Sequence, residues 1–302
     1  MDKAGGISST GQVSEAARPG ILAAAPGVRA GPSANRRRPS CGEPGAVEEL
    51  GNLREEVVRC RRCPRLVAWR EKVAREKRAS YRDERYWGRP VPGFGDPEAS
   101  VLVVGLAPAA HGANRTGRMF TGDRAGDWLY RAMHRAGFAN RPLSRDRDDG
   151  LVLRGAYVTA GVRCAPPRNR PTAEERDRCA PFLRREAEIL WNRLHTIVAL
   201  GGFAHSVALG LLAQRGVAIP TPRPRFGHGA EVDLGKVVLL GSYHPSQQNT
   251  FTGKLTEEMF DSVWRRAAKR AARRAREERG PGPGAAGERH PAEGPSGSCE
   301  GS

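Results

Sequence analysis

Four short, largely apolar runs constrain this chain more than anything else in it. They are Val101-Leu102-Val103-Val104, Ala156 to Val162, Ile197-Val198-Ala199-Leu200 and Val237-Val238-Leu239-Leu240. Each is bounded by glycine or polar residues, and each has the length and β-branched content of a strand buried on both faces. Helical spacing fills the intervals. Val47, Leu50, Leu53, Val57 and Val58 mark an amphipathic helix ending near Cys60, and Trp128, Leu129 and Met133 mark another. Thr172-Ala173-Glu174-Glu175 has capping-box form and opens a helix to about Leu194, in which Pro181 predicts a kink or a broken first turn. Gly201-Gly202 precedes a helix through Leu211, and a last helix spans about Thr256 to Glu278. Strands alternating with helices predict an α/β fold: three layers, α/β/α, around a central, mostly parallel four-stranded sheet. Ligands of such sheets sit beyond the carboxyl ends of the strands. Here those ends lead into loops beginning at Gly105, Cys164 and Tyr243.

Composition sets the boundaries. Residues 1–45 are rich in Ala, Gly, Pro and Ser without hydrophobic periodicity and read as a disordered tail. Residues 46–265 form the single folded domain, and residues 266–302 a basic helical extension followed by a second disordered tail. The formal charge is +17, more than half of it on the folded segment, which favours a polyanionic partner such as nucleic acid. No run approaches the ~20 apolar residues of a membrane span. The first residues lack the apolar stretch of a secretory signal, so the expected location is the cytoplasm, with use at the nucleoid, and the thiols are expected to stay reduced.

Cys60 and Cys63 form a C-x2-C, and Cys164 and Cys179 follow with 14 residues between them. Two cysteines at i and i+3 aim both sulfurs at one point, as metal ligation requires. A zinc ribbon would supply a second tight pair. The wide second spacing favours a 4Fe-4S cluster over a single zinc ion, with four unrelated buried thiols as the bland alternative. Arg59, Arg61, Arg62 and Arg65 crowd the first pair and offset the charge of an all-thiolate site. Cys41 and Cys299 fall in the tails.

Two loops carry the remaining chemistry. Residues 105–123, GLAPAAHGANRTGRMFTGD, follow a buried strand but contain neither nucleotide-binding glycine motif. Residues 244–256, HPSQQNTFTGKLT, put a histidine directly at a strand end. Together with VRCAPPRNRPT at 162–172 and the cysteine pattern, these segments resemble the family 5 uracil-DNA glycosylases (UDGb) of the uracil-DNA glycosylase superfamily, over roughly residues 46 to 265.

The resemblance implies a monofunctional enzyme of base excision repair. It flips a deaminated base out of double-stranded DNA, cuts its N-glycosidic bond and leaves an abasic site; single-stranded DNA stays open as a second substrate form, and a monomer is expected. Phe120 matches the platform on which the flipped base stacks, with Gly105 and Ala107 beside it. His244 matches the donor to the base carbonyl. Asp123 is the expected carboxylate at the sugar, although Asp is also a favoured helix N-cap. Asn169 is expected to position water or touch the base. Arg115, Arg118, Ser246, Gln247 and Asn249 are expected on DNA, the polar 244–256 loop entering the minor groove by hydrogen bonding more than by an apolar wedge. Two positions depart from uracil-specific relatives. Ala107-Pro108-Ala109-Ala110 stands where a polar residue activates water, and Ala160 stands where an asparagine reads uracil. Both imply a pocket that also admits hypoxanthine. Against this reading stands a non-catalytic nucleic-acid-binding module with a structural zinc site.

Overall fold

The structure is a computed structural model that describes residues 45–277, all of which fall in one compact unit. The tail expected at 1–45, apart from Gly45, and the disordered tail expected at the end of the 266–302 segment lie outside the described residues. The described residues begin with helices α1 (Ala46–Arg59) and α2 (Pro64–Glu76), then strands β1 (Phe94–Gly95) and β2 (Val101–Gly105). Helices α3 (Ala113–Thr116) and α4 (Arg124–Arg135) precede β3 (Ala156–Ala160), α5 (Ala173–Leu190), β4 (Thr196–Leu200) and α6 (Gly202–Gln214). Strands β5 (Glu231–Asp233) and β6 (Val238–Ser242), the short α7 (Gln247–Phe251) and the long α8 (Glu257–Glu277) complete it.

The sheet order is β1-β3-β2-β4-β6-β5. Its centre, β3-β2-β4-β6, is parallel throughout, and these are the four strands predicted from the apolar runs. Two short antiparallel strands, β1 on β3 and β5 on β6, close the edges, so the sheet has six strands where four were expected. Alternation along the buried strands separates two faces. Val101, Val103, Val158, Val198 and Leu240 pack with Leu129, Met133, Phe260 and Trp264 of α4 and α8. Leu102, Val104, Ile197, Ala199 and Leu239 pack with Leu183 and Leu190 of α5 and with Ala204, Ala208 and Leu212 of α6. That gives the three layers.

Thr172 caps α5 through a complete capping box, and the helix runs on through Pro181 without interruption. The domain boundary expected after residue 265 falls inside α8. Trp264 and Ala267 are buried in the core on either side of it, so that helix belongs to the domain. Among the described residues no helix is long and apolar enough to cross a membrane.

Candidate active site and cysteine centre

The loop after β2 turns on two close approaches. The ladder between β2 and β3 extends past the strand ends, with Gly161 N–H donating to Gly105 O (3.0 Å) and Val162 N–H to Leu106 O (3.0 Å). This holds Gly105 so near Phe120 that a Cβ there would lie 2.6 Å from the phenyl ring. Phe120 itself has φ +52°, a left-handed conformation that costs a non-glycine residue ~1–3 kcal/mol. Across from it, His244 leaves the end of β6, and the two rings lie 5.8 Å apart between centroids with planes 32° from parallel. Burial pulls the His244 imidazole down to about 4, so it is neutral at pH 7 and keeps one ring N–H. That ring makes no hydrogen bond to another described residue, whereas its backbone carbonyl accepts from Asn249 Nδ2 at 2.8 Å.

Asp123 is the N-cap of α4, its Oδ1 accepting from Gly126 N–H at 2.9 Å. The other oxygen rests on the backbone of Gly112, where a Cβ would come within 2.1 Å of Oδ2. Burial pushes the Asp123 carboxyl above the usual carboxylate range, and the Gly126 N–H opposes that shift. The capping and catalytic readings of Asp123 are therefore compatible: one oxygen is fixed by the helix and the other is held in the loop.

The other predicted site residues make different contacts. Arg115 is buried, and its guanidinium donates to His111 O (2.8 Å) and Gly122 O (2.8 Å) and pairs with Glu84. Arg118 is buried too, pairing with Asp149 (2.6 Å) and donating to Ser144 Oγ (2.7 Å). Their expected place on DNA is corrected by this burial: both guanidiniums are engaged within the fold and brace the 105–123 loop. Ser246 Oγ caps α7, Asn249 points inward to His244, and Gln247 is exposed. Ala107 packs against the cysteine-containing core. Asn169 is exposed on a one-turn 3-10 segment in which Arg168 and Asn169 both have φ +55°. No hydrogen bond or ring contact joins it to Asp123, Phe120 or His244 among the described residues.

The four cysteines of the predicted centre line one pocket with Leu66, Val67, Val162 and Phe182. Cys60 follows α1, Cys63 is the N-cap of α2, Cys164 follows β3 and Cys179 lies in α5. All four are free thiols. Sequence reading missed Arg70 of α2, although Leu66, Val67 and Val73 around it had helical spacing. Arg70 is almost fully buried and donates to Cys164 Sγ at 2.9 Å, and Arg163 N–H donates to Cys179 Sγ at 3.3 Å. Burial lifts Cys164 to about 11 and Cys179 to about 12, with nearby arginine charge pulling both the other way. Four sulfurs facing one apolar pocket, with two buried guanidiniums at its wall, fit an anionic thiolate-ligated group. Among the described residues, no three His, Cys, Asp or Glu side chains close on a single-ion position.

The architecture and the loop chemistry define a class, an α/β domain with a mostly parallel sheet whose strand ends present a phenyl ring, a neutral imidazole and a buried carboxylate. A sequence model of the uracil DNA glycosylase superfamily matches residues 92–268. A type-5 uracil-DNA glycosylase of Mycobacterium bovis is 55% identical over 231 residues, covering 76% of this chain and 84% of the relative. The type-5 enzyme of Thermus thermophilus is 52% identical over 210 residues, covering 69% and 92%. A type-4 uracil-DNA glycosylase of Pyrobaculum aerophilum is 29% identical over 200 residues, covering 66% and 83%. The chain belongs to the uracil DNA glycosylase superfamily.

Proposed function

We propose that this chain is a monofunctional DNA glycosylase that excises uracil and, because the segment Ala107-Pro108-Ala109-Ala110 offers no polar side chain after β2, hypoxanthine. The observation that carries this is the Phe120–His244 pair, 5.8 Å between ring centroids, at the strand ends from which the Asp123 loop departs. A base rotated out of the duplex stacks on Phe120. As the N-glycosidic bond stretches, negative charge gathers on the departing base and positive charge on the sugar. The neutral His244 N–H donates to the base carbonyl oxygen, stabilising the first. The ionised Asp123 carboxylate offsets the second and orients the attacking water, and Asn169 assists in holding that water or the base. Residues 105–123 and 162–172 contain no lysine, and Lys254 is engaged with the Tyr243 ring, its ammonium 4.8 Å from the ring centroid, which supports a reaction without a Schiff base. The product is therefore an abasic site in an intact strand. The substrate is double-stranded DNA and the enzyme a cytoplasmic monomer.

The pocket formed by Cys60, Cys63, Cys164 and Cys179 would hold a 4Fe-4S cluster. Such a cluster supplies a rigid, thiolate-ligated cross-link when bound. Here it would tie α1, α2, the segment after β3 and α5 into one unit, and no catalytic step passes through it.

The test is base release by aerobically purified protein from duplexes carrying one uracil or one hypoxanthine, followed by alkali. Alkali-dependent breaks at both lesions are expected. Breaks at neither, with DNA binding and zinc retained, would establish the non-catalytic binding module instead.

The exposed face of α8 supports a phosphate-binding role. Lys269 and Arg276 are exposed there, while Arg266 and Arg270 turn to Glu231. A chain ending after Ala267, which keeps the buried Trp264 and Ala267, should bind DNA more weakly at low salt. Its plot of log affinity against log salt should also be shallower, by about 0.9 for each phosphate that α8 neutralises in the full chain. Wild-type affinity at every salt concentration would remove the helix from the interface.

A further inference from the structure

Arg70 touches two parts of the molecule that the proposed chemistry keeps apart. Its guanidinium, almost fully buried, donates to Cys164 Sγ at 2.9 Å and to the Cys60 carbonyl at 3.4 Å. Its own carbonyl accepts from Asn114 Nδ2 at 3.3 Å. Asn114 lies in α3, midway along the 105–123 loop, and is completely buried. The same Nδ2 donates to the Ala110 carbonyl at 3.4 Å, so both of its neighbours are acceptors and the amide faces them with its nitrogen. Asn114 Oδ1 is buried and has no hydrogen-bond partner among the described residues. An acceptor left bare in this way costs stability, and what the asparagine supplies is a directed bond to α2. A second path runs alongside. Val91, fully buried, donates from its N–H to the carbonyl of Arg163, next to Cys164, at 2.7 Å. Gly88 N–H donates to Asn114 O at 3.0 Å and Trp87 N–H to Arg115 O at 2.8 Å. Residues 87–91 thus strap α3 to the segment that carries Cys164.

We infer that Arg70 and Asn114 are positioning residues, and that through them the placement of the 105–123 loop depends on the group held by Cys60, Cys63, Cys164 and Cys179. The inference rests on the glycosylase reading above for what that loop does. With all four thiolates engaged, the segments bearing Cys60 and Cys164 are fixed, and Arg70, bonded to both, is fixed with them. Asn114 carries that constraint into the loop, ahead of Phe120 and Asp123. When the sulfurs are released, the loop keeps its internal braces at Arg115 and Arg118 but loses its fixed reference to α2. Phe120 and Asp123 then stand off their positions opposite His244, and a small misplacement of reacting groups is costly to rate.

Hydrogen exchange of the full chain reads this link directly, because amides exchange through local opening. Stripping wild type with dithionite and EDTA should speed exchange in peptides covering 86–91 and 109–117 by about tenfold, the worth of one hydrogen bond. Strand β4, remote from the link, should keep its protection. Asn114→Ala should retain wild-type visible absorbance, iron and sulfide, yet exchange in those two peptides as fast as stripped wild type. Stripping that variant should add little, since both changes cut one link. At saturating duplex it should release uracil about 10²-fold more slowly in a single turnover, with little change in affinity. Arg70→Met cuts the link at its sulfur end and decides the matter should Asn114→Ala lose its iron: its loop should exchange at the stripped rate with iron present. Loop exchange indifferent to stripping would overturn the inference, as would wild-type exchange and rate in Asn114→Ala, or a wild-type response to stripping in Arg70→Met. So would a rise spread equally over β4, which would make the cysteine centre a staple for the whole domain. A wild type that releases no uracil while the exchange pattern holds would instead overturn the glycosylase reading.

Discussion

Asp123→Asn is expected to slow uracil release by about 10²–10⁴-fold while leaving the melting temperature unchanged or higher. Asparagine caps a helix as well as aspartate does, so the bond to Gly126 N–H survives the change. What disappears is a buried charge. Burial raises the Asp123 pKa in the folded protein above its unfolded value. The folded state therefore binds that proton more tightly, and the group adds stability as pH falls through the raised value and detracts from it at neutral pH. Activity runs the other way, because only the carboxylate offsets charge on the sugar. Base release should consequently show an acid limb above the ordinary carboxylate range, and that limb should be absent from the residual activity of Asp123→Asn. His244, held near 4 by burial, should add no limb near 6.5. Single-turnover rates across pH, paired with thermal unfolding of both proteins, check all of this. A destabilised Asp123→Asn with near-wild-type rate would leave Asp123 as a cap and nothing more.

Cys164→Ser should have the second large effect. Wild-type protein purified in air is expected to be brown, with iron and sulfide at cluster stoichiometry, and the variant is expected to lose colour, iron and sulfide together. It should also lose stability beyond the missing cross-link, because Arg70 donates to Cys164 Sγ from an almost fully buried position. Arg70 keeps the Cys60 carbonyl at 3.4 Å and Glu71 at 3.8 Å, so the added loss is that of one hydrogen bond to a charged group, about 1.5–3 kcal/mol. Adding Arg70→Met should return part of that loss without returning the iron. Metal analysis, visible absorbance and denaturant unfolding of the three proteins decide the matter. A colourless wild type containing stoichiometric zinc would replace the cluster with a single ion.

The central strands were legible because burial on both faces leaves an unbroken apolar signature, and Val101 to Val104 is a clear case. The edge strands were not. Phe94–Gly95 is two residues long, and Glu231–Asp233 shows polar side chains to solvent, so neither can display a period. Helix α7 stayed hidden for a related reason: it buries no side chain, so QQNTF has no apolar stripe to read. His244, Phe120 and Asp123 were singled out by the resemblance of their loops, and the fold brings the Phe120 and His244 rings together; the cysteine spacing was visible, and all four cysteines line one pocket although Cys179 sits within α5. Arg115 and Arg118 were misplaced because sequence records a charge without its direction, and both guanidiniums turn into the loop they brace. Arg70 shows the same blindness in reverse, being cationic by composition and buried beside thiols in the fold.

Arg115 also bears on how a lesion is recognised. Its one guanidinium joins His111 at the middle of the 105–123 loop to Gly122 near its end, pairs with Glu84 and sits 4.0 Å from the centroid of the Tyr81 ring. A loop cross-braced in this way has surrendered most of its conformational entropy before any DNA arrives, so little ordering remains to be done on binding. Choice among damaged bases then depends on how each one fits a rigid recess, and a poor fit is rejected by quick departure rather than by a loop that fails to close.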